Sequence, residues 1–175
     1  MIADRVRMKR KKSIPSIPVA TDDDFSGTRD GEFVYIGSEI HIIIPHKIKG
    51  VTVTKMYNSY SIGGMFGKNA SIVRSVATLE GHSITDSSYM FSGSLSTTVN
   101  LSNFDTSNVT NMDSTFRNSK ATTLDLSSFN TSKVTNMAFM FFNSQATTGY
   151  ARTQTDANKF NASSNKPAGL NFVVK

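Results

Sequence analysis

The sequence contains no cysteine, so the chain forms no disulfide bond, offers no thiolate to a metal and has no cysteine nucleophile. It has only three histidines, and none stands in a spacing such as H-E-x-x-H that would place two imidazoles on one metal. No run of apolar residues approaches the length of about 18 that a membrane-spanning helix needs. These absences leave packing as the source of stability and predict neither a metal centre nor membrane insertion.

Motifs that mark an enzyme are also missing. Serine is abundant, but no G-x-S-x-G sequence marks one as a nucleophile. The glycine-rich segment Gly63-Gly64-x-x-Gly67 lacks the lysine-serine ending of a phosphate-binding loop. Residues 22–24 are three aspartates in a row, and without the alternating ligand spacing of a calcium loop they are interpreted as a solvated turn. The sequence therefore predicts a protein that is not an enzyme, with no catalytic residue, no bound metal and no cofactor.

Positive charge is concentrated at the start of the sequence. Residues 1–12 carry six basic side chains against one acid, Asp4, and so hold +5 of the net charge of +6. The basic residues are Arg5, Arg7, Lys9, Arg10, Lys11 and Lys12. Such an arm could bind nucleic-acid phosphates, seat itself in an acidic groove of a partner protein, or remain a solvated tail.

A linker and a hairpin are predicted between this arm and the rest of the chain. Two prolines fix extended backbone after the basic cluster, so residues 1–20 are interpreted as an arm with a linker of limited flexibility. Two β-rich runs, residues 32–36 and 39–44, flank a Gly-Ser pair, which is typical of a β-hairpin. Residues 21–49 are therefore predicted to be an N-terminal hairpin cap.

A 25-residue unit repeats through the middle of the chain. When residues 101–125 are aligned with residues 126–150, 15 of 25 positions are identical. A fixed period of this length is the signature of a solenoid, in which each unit buries its apolar side against its neighbours. Residues 50–150 are therefore predicted to form a right-handed solenoid of about four coils. Its internal column should contain the phenylalanines that recur at the same interval, Phe66, Phe91, Phe116 and Phe141.

Each unit divides into a strand and a helical turn. Apolar and polar residues alternate in residues 98–101 and 121–126, which predicts short strands that stack into a parallel sheet. Further along each unit, apolar residues at i, i+3 and i+7 share one face of a short helix. These positions add Val109, Met112, Val134 and Met137 to the predicted core. Core packing explains them better than a cofactor site, because every unit needs them.

Two segments resemble a known repeat family. Residues 101–112 read LSNFDTSNVTNM and residues 124–137 read LDLSSFNTSKVTNM, and both strings resemble the BspA-like leucine-rich repeat. The resemblance covers the repeats of residues 50–150, and residues 151–175 resemble the cap that often closes such arrays. It implies an α/β, leucine-rich-repeat-like solenoid that presents strands on one side. It also implies that the protein binds macromolecules and is not an enzyme.

Two functions follow from the resemblance. Members of the family are surface proteins of bacteria, and similar repeats occur in proteins encoded by phages. Because the start of the sequence is not a secretion signal, we expect a phage virion accessory protein, a fibre or decoration displayed in multiple copies. In this interpretation residues 1–20 bind virion structural proteins and the solenoid attaches the particle to its host. A bacterial cell-surface adhesin is the alternative, and a nucleic-acid-binding arm is a third, less favoured interpretation.

A binding face is predicted on the strands that flank the inward-facing leucines. Exposed positions there should present a repeated hydrogen-bonding array, and weak sites of this kind gain strength when many copies are displayed together. The predicted ligand is a host-surface glycan or protein. The candidate residues are Asn100, Ser102, Asp125 and Ser127.

Overall fold

A computed structural model describes residues 20–26, 34–35, 41–45, 47–48, 50–54, 66, 75–78, 81 and 83–175. These residues contain short β-strands and one eight-residue α-helix, and no helix among them is long and apolar enough to cross a bilayer. In chain order, a 3₁₀ turn at Asp22–Asp24 is followed by β1 (Phe25–Ser26), β2 (Val34–Tyr35), β3 (His41–Ile44), β4 (Lys47–Ile48), β5 (Val51–Thr52), β6 (Ser75–Thr78), β7 (Thr123–Leu126), β8 (Thr148–Ala151), α1 (Gln154–Asn161) and β9 (Asn171–Val174).

The described strands form four small, separate sheets. β1 pairs with β2 and β4 pairs with β5, both antiparallel, whereas β3 and β6 are parallel. The fourth sheet has the order β7, β8, β9 and is parallel throughout. Its register places Thr123 beside Thr148 and Thr148 beside Asn171. The crossover from β8 to β9 contains α1, as parallel neighbours require a long connection.

The predicted leucine-rich-repeat solenoid is wrong. The described residues form short strands in separate sheets and one helix, in place of one strand per unit in a continuous parallel sheet. Residues 98–101 form no strand, because the hydrogen bonds beside them are irregular. The Val76 N–H donates to the Asn100 carbonyl, but the Thr78 N–H donates to the Asn103 carbonyl. Between these two bonds one segment advances by two residues, from 76 to 78, and the other by three, from 100 to 103. The extra residue interrupts the regular ladder, as at a β-bulge.

The predicted N-terminal hairpin cap is wrong as well. Among the described residues β2 pairs with β1 and β3 pairs with β6, so Val34–Tyr35 and His41–Ile44 have partners other than each other. The Gly-Ser pair between them lies outside the described residues. A strand far along the chain thus replaces the local partner that the turn signal indicated.

The helical turn predicted in each unit is replaced by single turns. Ser114 and Asn118 have φ of 54° and 55°, and the equivalent Phe139 and Asn143 both have φ of 52°. A left-handed residue cannot continue a right-handed helix, so two of them four positions apart leave only isolated turns between them. The one α-helix among the described residues therefore lies after the repeats, where Thr153 caps its start.

Equivalent residues of successive units nevertheless lie beside each other. Alternate N–H groups from Met112 to Asn118 donate to the carbonyl group 24 positions later, at 2.8 to 2.9 Å. Phenylalanine rings at the repeat interval follow one another with centroid distances of 5.3, 5.5 and 6.1 Å. The rings, in order, are those of Phe66, Phe91, Phe116 and Phe141. The 25-residue period thus appears as one internal aromatic column.

The core surrounds this column. All four phenylalanines are buried, as are Val109 and Met112, whereas Val134 and Met137 pack against the core and stay partly exposed. Phe160 of α1 and Phe172 of β9 cover the end of the column, with ring centroids 6.0 and 4.9 Å from that of Phe141. α1 and β9 therefore close the core and brace β7 and β8, whose outward face carries part of the candidate site.

Candidate functional site

A groove runs between residues 98–102 and residues 123–128. Its volume is about 440 Å³. All four predicted binding residues line it, and the others that do so are Thr98, Val99, Leu101, Thr123 and Ser128. The structure therefore brings Asn100, Ser102, Asp125 and Ser127 together at one surface feature.

Matching turns shape the two sides of the groove. The Asn100 Oδ1 accepts a hydrogen bond from the Ser102 N–H at 3.0 Å, and the Asp125 Oδ1 accepts one from the Ser127 N–H at 3.1 Å. Short Asn and Asp side chains favour this turn because they reach the backbone two residues ahead. The Ser127 hydroxyl adds a bond to Asp125 Oδ1 at 2.6 Å. Ser102 and Ser127 consequently occupy equivalent positions, one on each side.

The polar side chains of β7 face outward, and a hydrogen bond ties the two sides of the groove together. In β7 the buried Leu124 and Leu126 alternate with exposed Thr123 and half-buried Asp125, so the polar side chains face outward. Across the groove, the Ser128 hydroxyl donates to the Leu101 carbonyl at 2.9 Å. This bond fixes the two sides relative to each other in the free protein, which reduces the ordering that a ligand would have to impose.

Asp125 supplies the charge of the groove. Among the described lining residues it is the only charged one, and its Oδ2 lies 2.5 Å from the Lys175 Nζ. Burial alone would raise the pKa of Asp125, but hydrogen bonds from Lys175 and Ser127 outweigh it and bring the pKa below its ordinary value. The same bond to Asp125 raises the pKa of Lys175. Asp125 is therefore ionised at neutral pH and paired with a cation.

Tyr150 and Lys175 extend the site beyond the predicted residues. The register of β7 and β8 places Asp125 beside Tyr150, and the Lys175 Nζ lies 5.4 Å from the centroid of the Tyr150 ring. Both residues follow Asn100 and Asp125 at the repeat interval of 25 positions. That interval is the signal that could have identified them, although the sequence at these positions no longer matches the repeat.

Other predicted features fall elsewhere. The six basic residues of the arm lie outside the described residues, as do the glycines at 63, 64 and 67. Asp22–Asp24 forms a 3₁₀ turn with Asp22 and Asp23 exposed. No group of three or more His, Asp or Glu that could hold a metal ion occurs in the part of the chain that the structure describes.

Comparison with known proteins gives one finding. Residues 60–168, more than half of the chain, match the family described as "Mycoplasma protein of unknown function, DUF285". No curated protein and no solved structure matches the chain.

Proposed function

We propose a binding function for this chain, which belongs to the family of Mycoplasma proteins of unknown function, DUF285. The protein binds a macromolecule through the groove between residues 98–102 and 123–128 and does not catalyse a reaction. The observation that supports this function is the convergence of Asn100, Ser102, Asp125 and Ser127 on that groove. Its volume, about 440 Å³, lies within the range of known ligand sites.

The chemistry of the groove suits a ligand rich in hydroxyl or amide groups. Its side chains offer hydroxyl, amide and carboxylate groups, which together donate and accept hydrogen bonds. Each such bond to an exposed ligand contributes little net free energy, because it replaces a bond to water. Binding by one copy is therefore weak, and many copies displayed together supply the strength.

In the setting that we propose first, the protein is an accessory of a phage virion, a fibre or decoration. Residues 1–20 bind virion structural proteins, and the groove attaches the particle to a glycan or protein of the host surface. The concentration of +5 of charge in residues 1–12 supports this anchoring role. The proline-containing linker that follows separates the charge from the repeats.

A bacterial cell-surface adhesin is the second candidate. It is supported by the resemblance of residues 101–112 and 124–137 to the repeats of bacterial surface proteins. In this setting the same groove binds a macromolecule of a host or of a neighbouring cell. The two candidates differ in where the protein is displayed and agree on the surface that it uses.

Filling the groove is expected to reduce attachment. Ser102 is exposed in the groove, so Ser102→Tyr places a ring where the ligand lies without disturbing the core. We expect adsorption of the multimerised protein to host cells to fall about tenfold, which corresponds to about 1.4 kcal/mol of apparent binding free energy. Flow cytometry of a labelled multimer measures the effect.

Ser132 offers a matched control for this variant. It is also exposed, its N–H donates to Asn130 Oδ1 at 3.0 Å as that of Ser102 does to Asn100, and it does not line the groove. Ser132→Tyr should adsorb normally. If Ser102→Tyr keeps its melting temperature and still adsorbs as well as Ser132→Tyr, the groove is not the binding surface.

Removing the arm separates the two settings. Deleting residues 1–12 removes +5 of charge and should abolish incorporation into phage particles, because the attraction to virion proteins is lost. Quantifying the protein in purified particles measures this, and Ser102→Tyr, which leaves the arm intact, should be incorporated normally. Normal occupancy of the deletion variant contradicts anchoring by the arm. Recovery of the protein in the cell-surface fraction, and not in particles, favours the adhesin.

A further inference from the structure

An aromatic ring lies beside the polar groove. Tyr150 in β8 is in register with Asp125 in β7, and adjacent strands lie about 4.8 Å apart. Side chains at paired positions of a parallel sheet project to the same face, so the half-buried Tyr150 continues the surface that begins at Asn100 and Asp125. This surface combines an aromatic face with amide, hydroxyl and carboxylate groups.

Lys175 shows what this surface attracts. Its ammonium group lies over the Tyr150 ring, 5.4 Å from the centroid, and also contacts Asp125 Oδ2. The negative face of an aromatic ring attracts positively charged or positively polarised groups at this distance. The Lys175 side chain is 56% exposed, and solvent screens an ion pair that is so exposed. A ligand that satisfies both Asp125 and Tyr150 can therefore displace Lys175 at small cost.

A sugar ring carries the two kinds of group that this surface requires. Its hydroxyls donate to a carboxylate and both donate to and accept from an amide, as Asp125 and Asn100 need. The C–H groups on one side of the ring form an apolar, positively polarised patch that packs against an aromatic face. Both kinds of contact can form at once, because Asp125 and Tyr150 are direct neighbours.

A protein ligand fits the groove less well. Tight protein interfaces depend on large apolar, aromatic or arginine anchors that fill desolvated pockets. Among the described lining residues only Val99 and Leu101 are apolar, and Leu101 is buried in the core. The remaining lining residues are short and polar, which suits hydroxyl groups better than apolar anchors.

The charge of the groove selects among glycans. Asp125 is the only charged side chain among the described residues that line it, and displacement of Lys175 leaves that carboxylate facing the ligand. A sialylated or phosphorylated glycan would place a second negative charge beside the Asp125 carboxylate, and like charges close to each other repel. Neutral sugars avoid this repulsion.

We infer that the groove binds a neutral glycan, with one sugar ring stacked on Tyr150 and its hydroxyl groups hydrogen-bonded to Asp125 and Asn100 in place of Lys175. This inference rests on the proposed binding function and names the class of its ligand. Tyr150 is a specificity residue in this arrangement, because its ring recognises the apolar side of the sugar.

The test uses the full chain as a labelled multimer. A panel of immobilised neutral oligosaccharides, with sialylated and phosphorylated counterparts, is probed with the wild type, Tyr150→Ala and Tyr150→Phe. We expect binding to neutral members, a loss of about fivefold for Tyr150→Ala and a change within about twofold for Tyr150→Phe, which keeps the ring. Lys175→Ala should bind at least as tightly as the wild type, since it removes the competitor.

Host cells provide a second arm, which separates this inference from the proposed function. Periodate, which cleaves the vicinal diols of glycans, should abolish adsorption of the wild type. If Ser102→Tyr loses adsorption while periodate has no effect and protease treatment of the cells removes it, the groove binds a protein and the glycan inference is overturned. Preference for the anionic panel members, or equal binding by Tyr150→Ala and Tyr150→Phe, also overturns it. If Ser102→Tyr adsorbs normally, the proposed function itself fails.

Discussion

Replacing Phe116 with alanine is expected to lower the free energy of unfolding by about 3 to 5 kcal/mol. The Phe116 ring is 1% exposed and lies between those of Phe91 and Phe141, with centroid distances of 5.5 and 6.1 Å and interplanar angles of 1° and 6°. Truncation removes the ring and opens a cavity. Neither neighbour can fill it without losing its own contact further along the column, so the cost of the cavity adds to the lost burial.

Equilibrium unfolding in urea measures this effect, with Phe139→Ala as the matched control. Phe139 belongs to the adjoining unit but is 40% exposed; its ring meets that of Phe142 edge to face and lies under the Arg117 guanidinium group. Its removal should cost about 1 kcal/mol or less. Equal losses for the two variants would show that the aromatic column does not carry the stability of the repeats.

The aromatic column could be predicted from the sequence because it depends on spacing alone. Residues that recur every 25 positions lie beside each other if each unit adds the same displacement along the structure. The rings in contact are those of Phe66, Phe91, Phe116 and Phe141. The strands could not be predicted in this way. They require backbone groups in regular register, and the extra residue between Asn100 and Asn103 breaks that register without leaving a mark in the pattern of apolar residues.

The failure of the helical prediction has a tertiary cause. Apolar spacing of i, i+3 and i+7 reports which side chains point inward, and single turns separated by left-handed residues satisfy it as well as a helix does. Ser114, Asn118 and Phe139 all adopt positive φ, although Ser and Phe have no preference for it. Their N–H groups donate to residues 24 or 25 positions later and so hold them there, and such tertiary control is invisible in a local window.

Only part of the candidate site, likewise, could be predicted from the sequence. Asn100, Ser102, Asp125 and Ser127 could be predicted because polar residues that alternate with leucines face outward. Tyr150 could not be identified from the sequence, because the repeat changes there. Gly149 stands at the position of Leu124, and the Phe172 ring occupies the space that a side chain at 149 would fill. A Cβ on Gly149 would lie 2.5 Å from Phe172 Cε1. The contact between Asp125 and Lys175, 50 positions apart, depends on this closing arrangement.

Asp156 holds the closing segment to the repeats, and its role could not be seen in the sequence. It stands 25 positions after Thr131, where a repeat would place a threonine, and is 1% exposed. Its Oδ1 accepts hydrogen bonds from the Thr131 N–H at 3.1 Å and from the Thr131 hydroxyl at 2.6 Å. Its Oδ2 accepts from the Thr153 hydroxyl at 2.6 Å and from Arg152 Nε at 3.1 Å. One carboxylate thus joins the start of α1 to the preceding unit.

Replacing Asp156 with alanine is expected to cost about 3 kcal/mol at neutral pH, because the buried N–H and hydroxyl of Thr131 lose their acceptor. Asp113→Ala is the matched control. Asp113 is half-buried and accepts from the Ser114 hydroxyl at 3.1 Å, so its removal should cost about 1 kcal/mol or less. Urea unfolding of the two variants measures both values. A similar cost for both would contradict the bridging role of Asp156.

The cost of Asp156→Ala should also depend on pH. Burial alone would raise the pKa of Asp156, but hydrogen bonds from Thr131 and Thr153 outweigh it and hold the pKa below its ordinary value. The folded state therefore binds fewer protons than the unfolded chain in acid, where an aspartate has a pKa of about 3.9. The stabilisation is fully present above that pKa and is lost as pH falls towards the folded value. The difference in unfolding free energy between wild type and Asp156→Ala should thus shrink between about pH 6 and about pH 3. Asp125 titrates in both proteins and cancels, so a difference that stays constant with pH would contradict the lowered pKa of Asp156.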